Sequence, residues 1–268
     1  MSRPYIHGRS KREAERLSDQ ADTLTRILHH DTRYPHGCRV LEAGCGVGAQ
    51  TAILSAHSPG ATITSVEIST ESLRIARWRM RELHIKTVDL VNGDIFTLPF
   101  RESAFDHIFV CFVLEHLHNP RSALLKLRSL LKTGGTITII EGDHGSTFFH
   151  PDSPFAQETI RTLVSLQAEK GGDACIGRRL YPLMKEAGFS DAAVSERMVY
   201  VDAGRPDLVE GFTRKTFIAM VEGVREEALA RGQVSQTAWE KGIADLERTT
   251  EADGTFCYTF FKGTGTKG

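Results

Sequence analysis

Residues 39–48 of this 268-residue chain read RVLEAGCGVG, and this stretch decides the fold. A short apolar run around Val40 and Leu41 leads into a glycine-rich turn, and a helix is predicted at about 48–57. Glycines let a backbone turn tightly and let a ligand approach without a Cβ in the way. A strand that ends in such a turn marks the carboxyl edge at which open α/β sheets bind ligands. The stretch therefore predicts the start of a ligand-binding α/β domain.

The same alternation of apolar runs and helices continues downstream. The predicted strands lie at 63–68, 88–91, 105–113 and 136–140, and the predicted helices at about 69–84 and 120–131. Strands that alternate with helices imply crossover connections and a parallel sheet with helices on both faces. We therefore expect a doubly wound α/β core over 39–142.

The segments on either side of this core are less regular. Residues 10–30 carry apolar side chains at spacings of three and four, which predicts an amphipathic N-terminal helix. Further predicted elements are helices at 155–170, 177–187 and about 206–250, and strands at 189–201 and 255–261. We expect one domain over 1–268, made of an N-terminal helical lid (1–38), a core (39–200 and 254–268) and a helical cap insert (201–253).

The composition excludes several classes of protein. The chain has 33 Lys and Arg against 34 Asp and Glu, a formal net charge of −1, which argues against a dedicated nucleic-acid binder. Hydrophobic residues make up 40% of the chain, which argues against a disordered protein. The sequence contains no signal-peptide pattern and no apolar run of bilayer-spanning length. We expect a cytoplasmic protein that has neither a membrane nor a nucleic acid as partner.

Two acidic positions follow the next two predicted strands. Glu67 ends the second strand, where an acidic side chain can accept hydrogen bonds from ribose hydroxyls. Asp94 lies in the stretch Asn92-Gly93-Asp94-Ile95 after the third strand, where a carboxylate can accept a hydrogen bond from the amine of adenine. These residues predict an adenosine-type ligand. The glycine turn and Glu67 alone are equally typical of nicotinamide-dependent oxidoreductases.

The order of the motifs resembles that of the class I S-adenosylmethionine-dependent methyltransferases. The glycine turn, the acid after strand 2 and the Gly-Asp after strand 3 are followed by FDHIFVCFVLEHL at 105–117 and by LKTGG at 131–135. The resemblance covers about 39–142 strongly. It implies a Rossmann-like, seven-stranded, mostly parallel sheet with an antiparallel C-terminal strand, and S-adenosylmethionine as cofactor.

The resemblance also implies which residues hold the cofactor. Gly44, Gly46 and Gly48 would pack against its methionine part and ribose. Glu42 would support this turn or the amino group, and Glu67 would bind the ribose hydroxyls. The remaining implied contacts follow strands 2, 3 and 4, and they are Ile68, Gly93, Asp94, Ile95, Cys111, Phe112 and His116.

The N-terminal segment has two interpretations. In relatives that begin with a Tyr-x-x-Gly pattern and a leading helix, that segment closes over the cofactor. Tyr5 and Gln20 match this arrangement loosely. The alternative is that both side chains pack on the surface of an N-terminal helix.

Methyl transfer from a sulfonium mainly requires alignment of the acceptor with the methyl carbon. A general base contributes where the acceptor carries a proton. The candidates for this role, just past strands 4 and 5, are Glu115, His116, Asp143 and His144, and we predict the last three as catalytic. As alternatives, His116 can be a structural or cofactor-proximal residue of the family motif, and His144 an exposed loop residue. The spacing of His and acidic residues matches no recurrent zinc pattern, so we expect no metal.

The expected function is methylation of a small molecule by direct displacement, since the charge is balanced and no recognition module is appended. Two alternatives stay open: an NAD(P)-dependent oxidoreductase, and a protein that binds S-adenosylmethionine without catalysis. Methylation of RNA or protein fits the sequence less well. The sequence leaves the choice between a monomer and a homodimer open.

Overall fold

The computed structural model describes Ala21 and residues 23–268. The predicted contacts Tyr5 and Gln20, with most of the predicted lid, lie outside the described residues. The first described helix, α1, occupies 23–28. It buries Leu24 and Leu28 completely, so an apolar stripe of the predicted amphipathic helix faces the core.

One seven-stranded sheet forms the centre of the described chain. Its strands are β1 (Arg39–Ala43), β2 (Thr62–Glu67), β3 (Val88–Asn92), β4 (Phe105–Cys111), β5 (Leu131–His150), β6 (Ser190–Asp202) and β7 (Thr255–Thr266). The helices between the strands up to β6 are α2 (Ala49–His57), α3 (Thr70–Glu82), α4 (Pro120–Leu130), α5 (Pro154–Glu169) and α6 (Leu180–Glu186). None of the helices in the described residues is both long enough and apolar enough to cross a membrane.

The strand order is β3-β2-β1-β4-β5-β7-β6. Strands β1 to β5 are parallel, and β7 is antiparallel to both β5 and β6. This confirms the predicted fold class. The chain order reverses between β1 and β4, and open α/β sheets bind ligands in the crevice at the carboxyl ends of such a pair. The fold therefore directs attention to the turns after β1, β2, β3 and β4.

Three strand ends differ from the predicted bounds. Strand β4 ends at Cys111 rather than at residue 113, because Phe112 adopts a left-handed backbone conformation with φ 56°. Strand β5 continues to His150 because its distal part pairs with β7 beyond an irregularity between Asp143 and Phe148. Strand β7 likewise continues to Thr266, where it still pairs with β5 and β6.

The segment between β6 and β7 is helical, as predicted. Helix α7 (Pro206–Leu208) continues through a π-helical segment (Val209–Ile218) into α8 (Ala219–Glu222), and α9 (Arg225–Ala230) and α10 (Gln236–Arg248) follow. The ring of Phe217 lies 4.8 Å from that of Phe256 on β7. Trp239 of α10 is fully buried, and its Nε1 donates to Glu222 at 3.0 Å. This helical cap therefore covers one face of the last strand.

Candidate active site

The glycine-rich turn connects the carboxyl end of β1 to α2 and is hydrogen-bonded to β2. The backbone N–H of Gly44 donates to the carbonyl oxygen of Val66 at 2.9 Å. Gly44 has φ 85°, and a Cβ there would lie 2.5 Å from Cγ2 of Val113, so a side chain does not fit. Gly46 has φ 53°, but a Cβ there would meet no described atom within 4 Å. None of the described residues therefore fills the space beside Gly46, and Gly48 caps the start of α2.

Glu42 lies beneath this turn. Its side chain is buried, and its Oε2 accepts hydrogen bonds from the hydroxyls of Thr51 at 2.6 Å and Ser65 at 2.7 Å. Burial raises the pKa of Glu42 to about 7. Glu42 thus ties α2 and β2 to the strand that leads into the turn, which places it as a support of the turn.

Glu67 ends β2 with its carboxylate held by two backbone groups. Oε2 accepts from the N–H of Gly46 at 3.0 Å, and Oε1 accepts from the N–H of Ser69 at 2.8 Å. The side chain is half-buried, and each carboxylate oxygen has a second lone pair for a further donor. The neighbouring Ile68 is 54% exposed. The edge thus combines an oriented acceptor with an apolar surface beside it.

Asn92 is a site residue whose role the sequence analysis missed. Its Nδ2 donates to the carbonyl oxygens of Glu67 at 2.9 Å and Ile68 at 3.1 Å. The N–H of Gly93 also donates to the carbonyl oxygen of Glu67, at 3.1 Å. These bonds join the ends of β2 and β3. The sequence contained a signal for this role, because Asn92 directly precedes Gly-Asp and amide side chains often form hydrogen bonds with neighbouring backbone groups.

Asp94 begins the turn after β3. Its Oδ1 accepts from the N–H of Phe96 at 3.0 Å, which starts a short 3₁₀ helix at Ile95–Thr97. Ile95 itself is buried in the core with Val66 and Leu98. Of the predicted pair at this turn, Asp94 is therefore the residue whose side chain lies outside the core.

The turn after β4 is held in an unusual shape by β5. Phe112 has φ 56°, a conformation that is costly for a bulky side chain. Its N–H donates to the carbonyl oxygen of Ile140 at 2.9 Å. Oε1 of Glu141 accepts from the N–H groups of Val113 at 2.9 Å and Leu114 at 2.7 Å. The turn that carries Phe112 is thus bound at three points to β5.

Glu141 is fully buried, and burial together with the nearby Glu115 carboxylate raises its pKa well above the usual range. The sequence analysis did not single out Glu141 for this role, because no local pattern brings it to the turn after β4. Cys111, at the end of β4, is also buried, and burial raises the pKa of its thiol. The structure therefore places Cys111 as a neutral side chain beneath Phe112.

His116 and Asp143, two of the predicted catalytic residues, have charged neighbours. Nε2 of His116 lies 3.6 Å from Oε1 of Glu115. Oδ2 of Asp143 accepts a hydrogen bond from Nε of Arg178 at 2.6 Å. Oδ1 of Asp143 accepts from Nη2 of Arg178 at 2.8 Å and from the N–H of Gly145 at 3.0 Å. The carboxylate of Asp143 is therefore engaged in holding the arginine.

His144, the third predicted catalytic residue, is buried, so the alternative of an exposed loop histidine is wrong. Its Nδ1 lies 2.7 Å from the hydroxyl of Tyr258 on β7, and the ring of Phe217 packs edge-on against it. Tyr258 contacts Phe260 at a centroid distance of 4.6 Å, and Phe260 contacts Phe112 at 5.4 Å. A continuous series of aromatic rings thus links His144 to the turn after β4.

The residues at this edge fit an adenosine-type cofactor. The free space at Gly46, the oriented carboxylate of Glu67 and the apolar surface of Ile68 lie beside one another at the ends of β1 and β2. Asp94 adds a second carboxylate one strand further along the sheet. Within residues 23–268, no three His, Cys, Asp or Glu side chains form a group able to hold a metal ion.

Comparisons with known proteins agree with this geometry. Residues 41–139 match the model of a methyltransferase domain. The chain is 33% identical over 190 residues to an uncharacterized 37.1 kDa protein of transposon TN4556 from Streptomyces fradiae, and this match covers 70% of the chain and 54% of that protein. It is 26% identical to a malonyl-[acyl-carrier protein] O-methyltransferase of Herminiimonas arsenicoxydans, over 90% of the chain and 85% of that protein. The chain thus spans about half the length of the first relative and most of the second.

Solved structures share the fold. A phosphoethanolamine N-methyltransferase of Haemonchus contortus in complex with S-adenosyl-L-methionine matches with a TM-score of 0.57 and 18% identity, over 92% of this chain and 52% of that one. A geranyl diphosphate C-methyltransferase of Streptomyces coelicolor, in complex with S-adenosyl-L-homocysteine, matches with a TM-score of 0.54 and 15% identity, over 94% and 79%. Residues 41–139 therefore form a methyltransferase domain, and its motif order and sheet topology are those of the class I S-adenosylmethionine-dependent methyltransferases.

Proposed function

We propose that this chain transfers the methyl group of S-adenosylmethionine to a small-molecule acceptor by direct displacement at the carboxyl edge of the sheet. The observation that carries the proposal is the pairing of Gly46 with Glu67. The glycine leaves free space, and its N–H orients the carboxylate that borders that space. When bound, the cofactor supplies an activated methyl group on a sulfonium, so the protein mainly has to hold two reactants in line.

Each cofactor role follows from a contact at this edge. Glu67 is oriented by two backbone N–H groups, and its remaining lone pairs can accept both hydroxyls of a ribose. Ile68 offers an exposed apolar surface for one face of adenine, and Asp94 can accept from the adenine amine. Phe112, held by β5 in a strained conformation, lies where the methionine part would end.

The acceptor would lie between the turn after β4 and the helical cap. The row of rings from Phe112 through Phe260 and Tyr258 supports an apolar wall there, with His144 at its far end. Of the two predicted bases on β5, His144 fits the role better, because Asp143 is engaged by its arginine. In this proposal Nδ1–H of His144 donates to the oxygen of Tyr258, and Nε2 takes the proton of the acceptor.

The relatives support a small acceptor and leave its reacting atom open. Their names include an O-methyltransferase of a malonyl group on a carrier protein and a demethylmenaquinone methyltransferase. The structural neighbours include enzymes named for methylation of nitrogen and of carbon. In this proposal the acceptor wall of this chain is formed by β5, β7 and the cap.

The first test is calorimetric titration of the full chain with S-adenosylhomocysteine and, separately, with NAD. We expect micromolar binding of S-adenosylhomocysteine and no measurable binding of NAD. Binding of NAD alone would overturn the proposal in favour of an oxidoreductase. Binding of S-adenosylhomocysteine without methyl transfer to any member of a panel of carboxylic, phenolic, amine and quinone acceptors would support a non-catalytic binding protein.

The second test concerns His144 and uses an acceptor found in that panel. We expect His144→Gln to lower kcat by roughly 100-fold or more, as loss of a general base does, and Tyr258→Phe to lower kcat less and shift its pH profile. His84→Gln, at an exposed position just after the end of α3, is the matched control. A kcat for His144→Gln within threefold of the wild-type value, with unchanged cofactor affinity, would refute the base assignment and leave the cofactor assignment intact.

A further inference from the structure

A second concave surface lies on the sheet away from the cofactor edge. It is a groove of about 300 Å³. The segment that follows α1, the amino-terminal half of β5 and the paired parts of β6 and β7 line it. Its floor includes Thr136 and Thr138 of β5, and His107 of β4 lies at its rim. His107 lies about 13 Å along β4 from Cys111 at the cofactor edge. Lys262 of β7, in contrast, pairs with Ile140 and lies two residues from Phe260 of the proposed acceptor wall, so the groove adjoins that wall.

The groove contains a buried ammonium group. Lys262 of β7 is only 4% exposed, and its Nζ donates to Oδ1 of Asp31 at 2.6 Å and to the hydroxyl of Thr32 at 2.8 Å. Arg197 of β6 donates to the other oxygen of Asp31, Oδ2, also at 2.6 Å. One carboxylate therefore bridges two cations, which shows that Lys262 and Arg197 are spaced to hold a carboxylate between them.

The groove has more hydrogen-bond donors than Asp31 can use. Lys262 has three N–H groups, of which two are used by Asp31 and Thr32. Nε of Arg197 is buried and has no hydrogen-bond partner among the described residues. Arg33 also lines the groove, so the lining has three Lys and Arg side chains against the single acid Asp31. The positive charge and the unused hydrogen-bond donors of the groove favour the binding of a further anionic group.

Asp31 is the most exposed member of this cluster. Its side chain is 43% exposed, whereas those of Lys262 and Arg197 are 5% and 15% exposed. The two cations are fixed on the paired strands β6 and β7, and the exposure of Asp31 lets an anion from solvent reach them and compete with its carboxylate. Asp31 therefore occupies a position that a ligand can share or take over.

We infer that this groove binds a small molecule through a carboxylate or phosphate group, held between Lys262 and Arg197 in competition with Asp31. The hydroxyls of Thr136, Thr138 and Ser195 line the same groove and can contact the rest of the ligand. None of these residues is among those proposed to bind the cofactor or the acceptor, so the inference stands whether or not the proposed function is correct.

The test is calorimetric titration of the full chain with inorganic phosphate and with malonate, at an ionic strength kept constant with sodium chloride. We expect saturable binding of at least one of them at millimolar or lower Kd. Asp31→Asn should tighten that binding by roughly tenfold, because the two cations lose the carboxylate that competes for them. Arg197→Gln should weaken it by roughly tenfold. Binding of phosphate alone indicates a phosphate ester as ligand, and binding of malonate alone indicates a carboxylate.

Lys262→Met should remove binding. If this substitution of a buried residue prevents folding, the tenfold weakening in Arg197→Gln keeps the test valid. Arg179→Gln, which alters an exposed arginine paired with Asp173 outside the groove, is the matched control. Binding of S-adenosylhomocysteine should stay within threefold of wild type in Arg197→Gln. The inference is overturned if neither anion binds above the chloride background, or if Arg197→Gln and Asp31→Asn bind both anions as the wild type does.

Discussion

Replacement of Glu67 by glutamine is the most direct perturbation of the cofactor edge. The carboxylate has two oxygens, and each accepts a backbone N–H, one from Gly46 and one from Ser69. A carboxamide keeps one oxygen, so its NH₂ group has to face one of these N–H donors. The substitution therefore removes the negative charge and turns the side chain away from the orientation that suits a ribose.

The size of the effect follows from the number of bonds lost. A hydrogen bond to a charged group contributes about 1.5–3 kcal/mol, and a ribose diol would form two such bonds with Glu67. The lower figure gives a loss of about 3 kcal/mol. Because about 1.4 kcal/mol corresponds to a tenfold change, we expect Kd for S-adenosylhomocysteine to rise roughly 100-fold.

The assay is isothermal calorimetry with S-adenosylhomocysteine, with thermal unfolding measured on the same samples. Glu71→Gln is the matched control, because Glu71 is an exposed acid on the first turn of α3. Its Kd should equal that of the wild type. A Glu67→Gln variant that stays folded and binds within threefold of the wild type would refute the ribose assignment.

The remaining predictions concern the turn, a buried acid and the cap. Gly44→Ala should lower Tm by about 5–15 °C, because a left-handed alanine and an overpacked contact together cost about 2–4 kcal/mol. Gly46→Ala should lower Tm by only a few degrees. Calorimetry should nevertheless show that Gly46→Ala weakens the binding of S-adenosylhomocysteine at least tenfold. The pKa of Glu42 rises from 4.5 to about 7 on folding, so its contribution to stability is present below pH 4.5 and is lost as pH rises through 7. Urea unfolding across this range should therefore show a loss of up to roughly 3 kcal/mol that is absent in Glu42→Gln. Trp239→Phe should cost about 1–2 kcal/mol in urea unfolding, since it leaves the carboxylate of Glu222 without its indole N–H donor.

Three outcomes would contradict these predictions. Equal losses of Tm in the two alanine variants would mean that the close contact beside Gly44 is absent. A parallel pH dependence in wild type and Glu42→Gln would mean that Glu42 titrates as a solvated acid. An unchanged urea midpoint in Trp239→Phe would mean that the indole N–H is replaced by water, so that the cap does not exclude solvent there.

The sequence was sufficient where the signal is local. The turn at Gly44 and Gly46, the acid at Glu67 and the Gly-Asp before Ile95 each lie at a strand end that the apolar pattern marks. The topology of β1 to β5 follows from this alternation, and the antiparallel β7 follows from the family resemblance. Local patterns are sufficient here because parallel strands with crossover helices leave few arrangements.

The sequence was insufficient where two distant strands meet. The role of Glu141 depends on the turn after β4, which no pattern in β5 encodes. The apolar run of β5 ends at Ile140, so the pattern did not predict that the strand continues. The last part of β7 contains Gly263, where a Cβ would lie 2.7 Å from Sδ of Met184, so close packing by α6 selects a residue with low strand propensity.

The position of β7 has a consequence for how the chain folds. It lies between β5 and β6 in the sheet, yet it follows every other strand of the sheet along the chain. During synthesis the facing edges of β5 and β6 therefore remain unpaired until β7, which follows the entire helical cap, has been synthesised. Such edges are sites of unwanted pairing with other chains. A ribosome that stalls within the cap would leave a nascent chain with its cofactor turns complete and two open sheet edges, a natural substrate for chaperones.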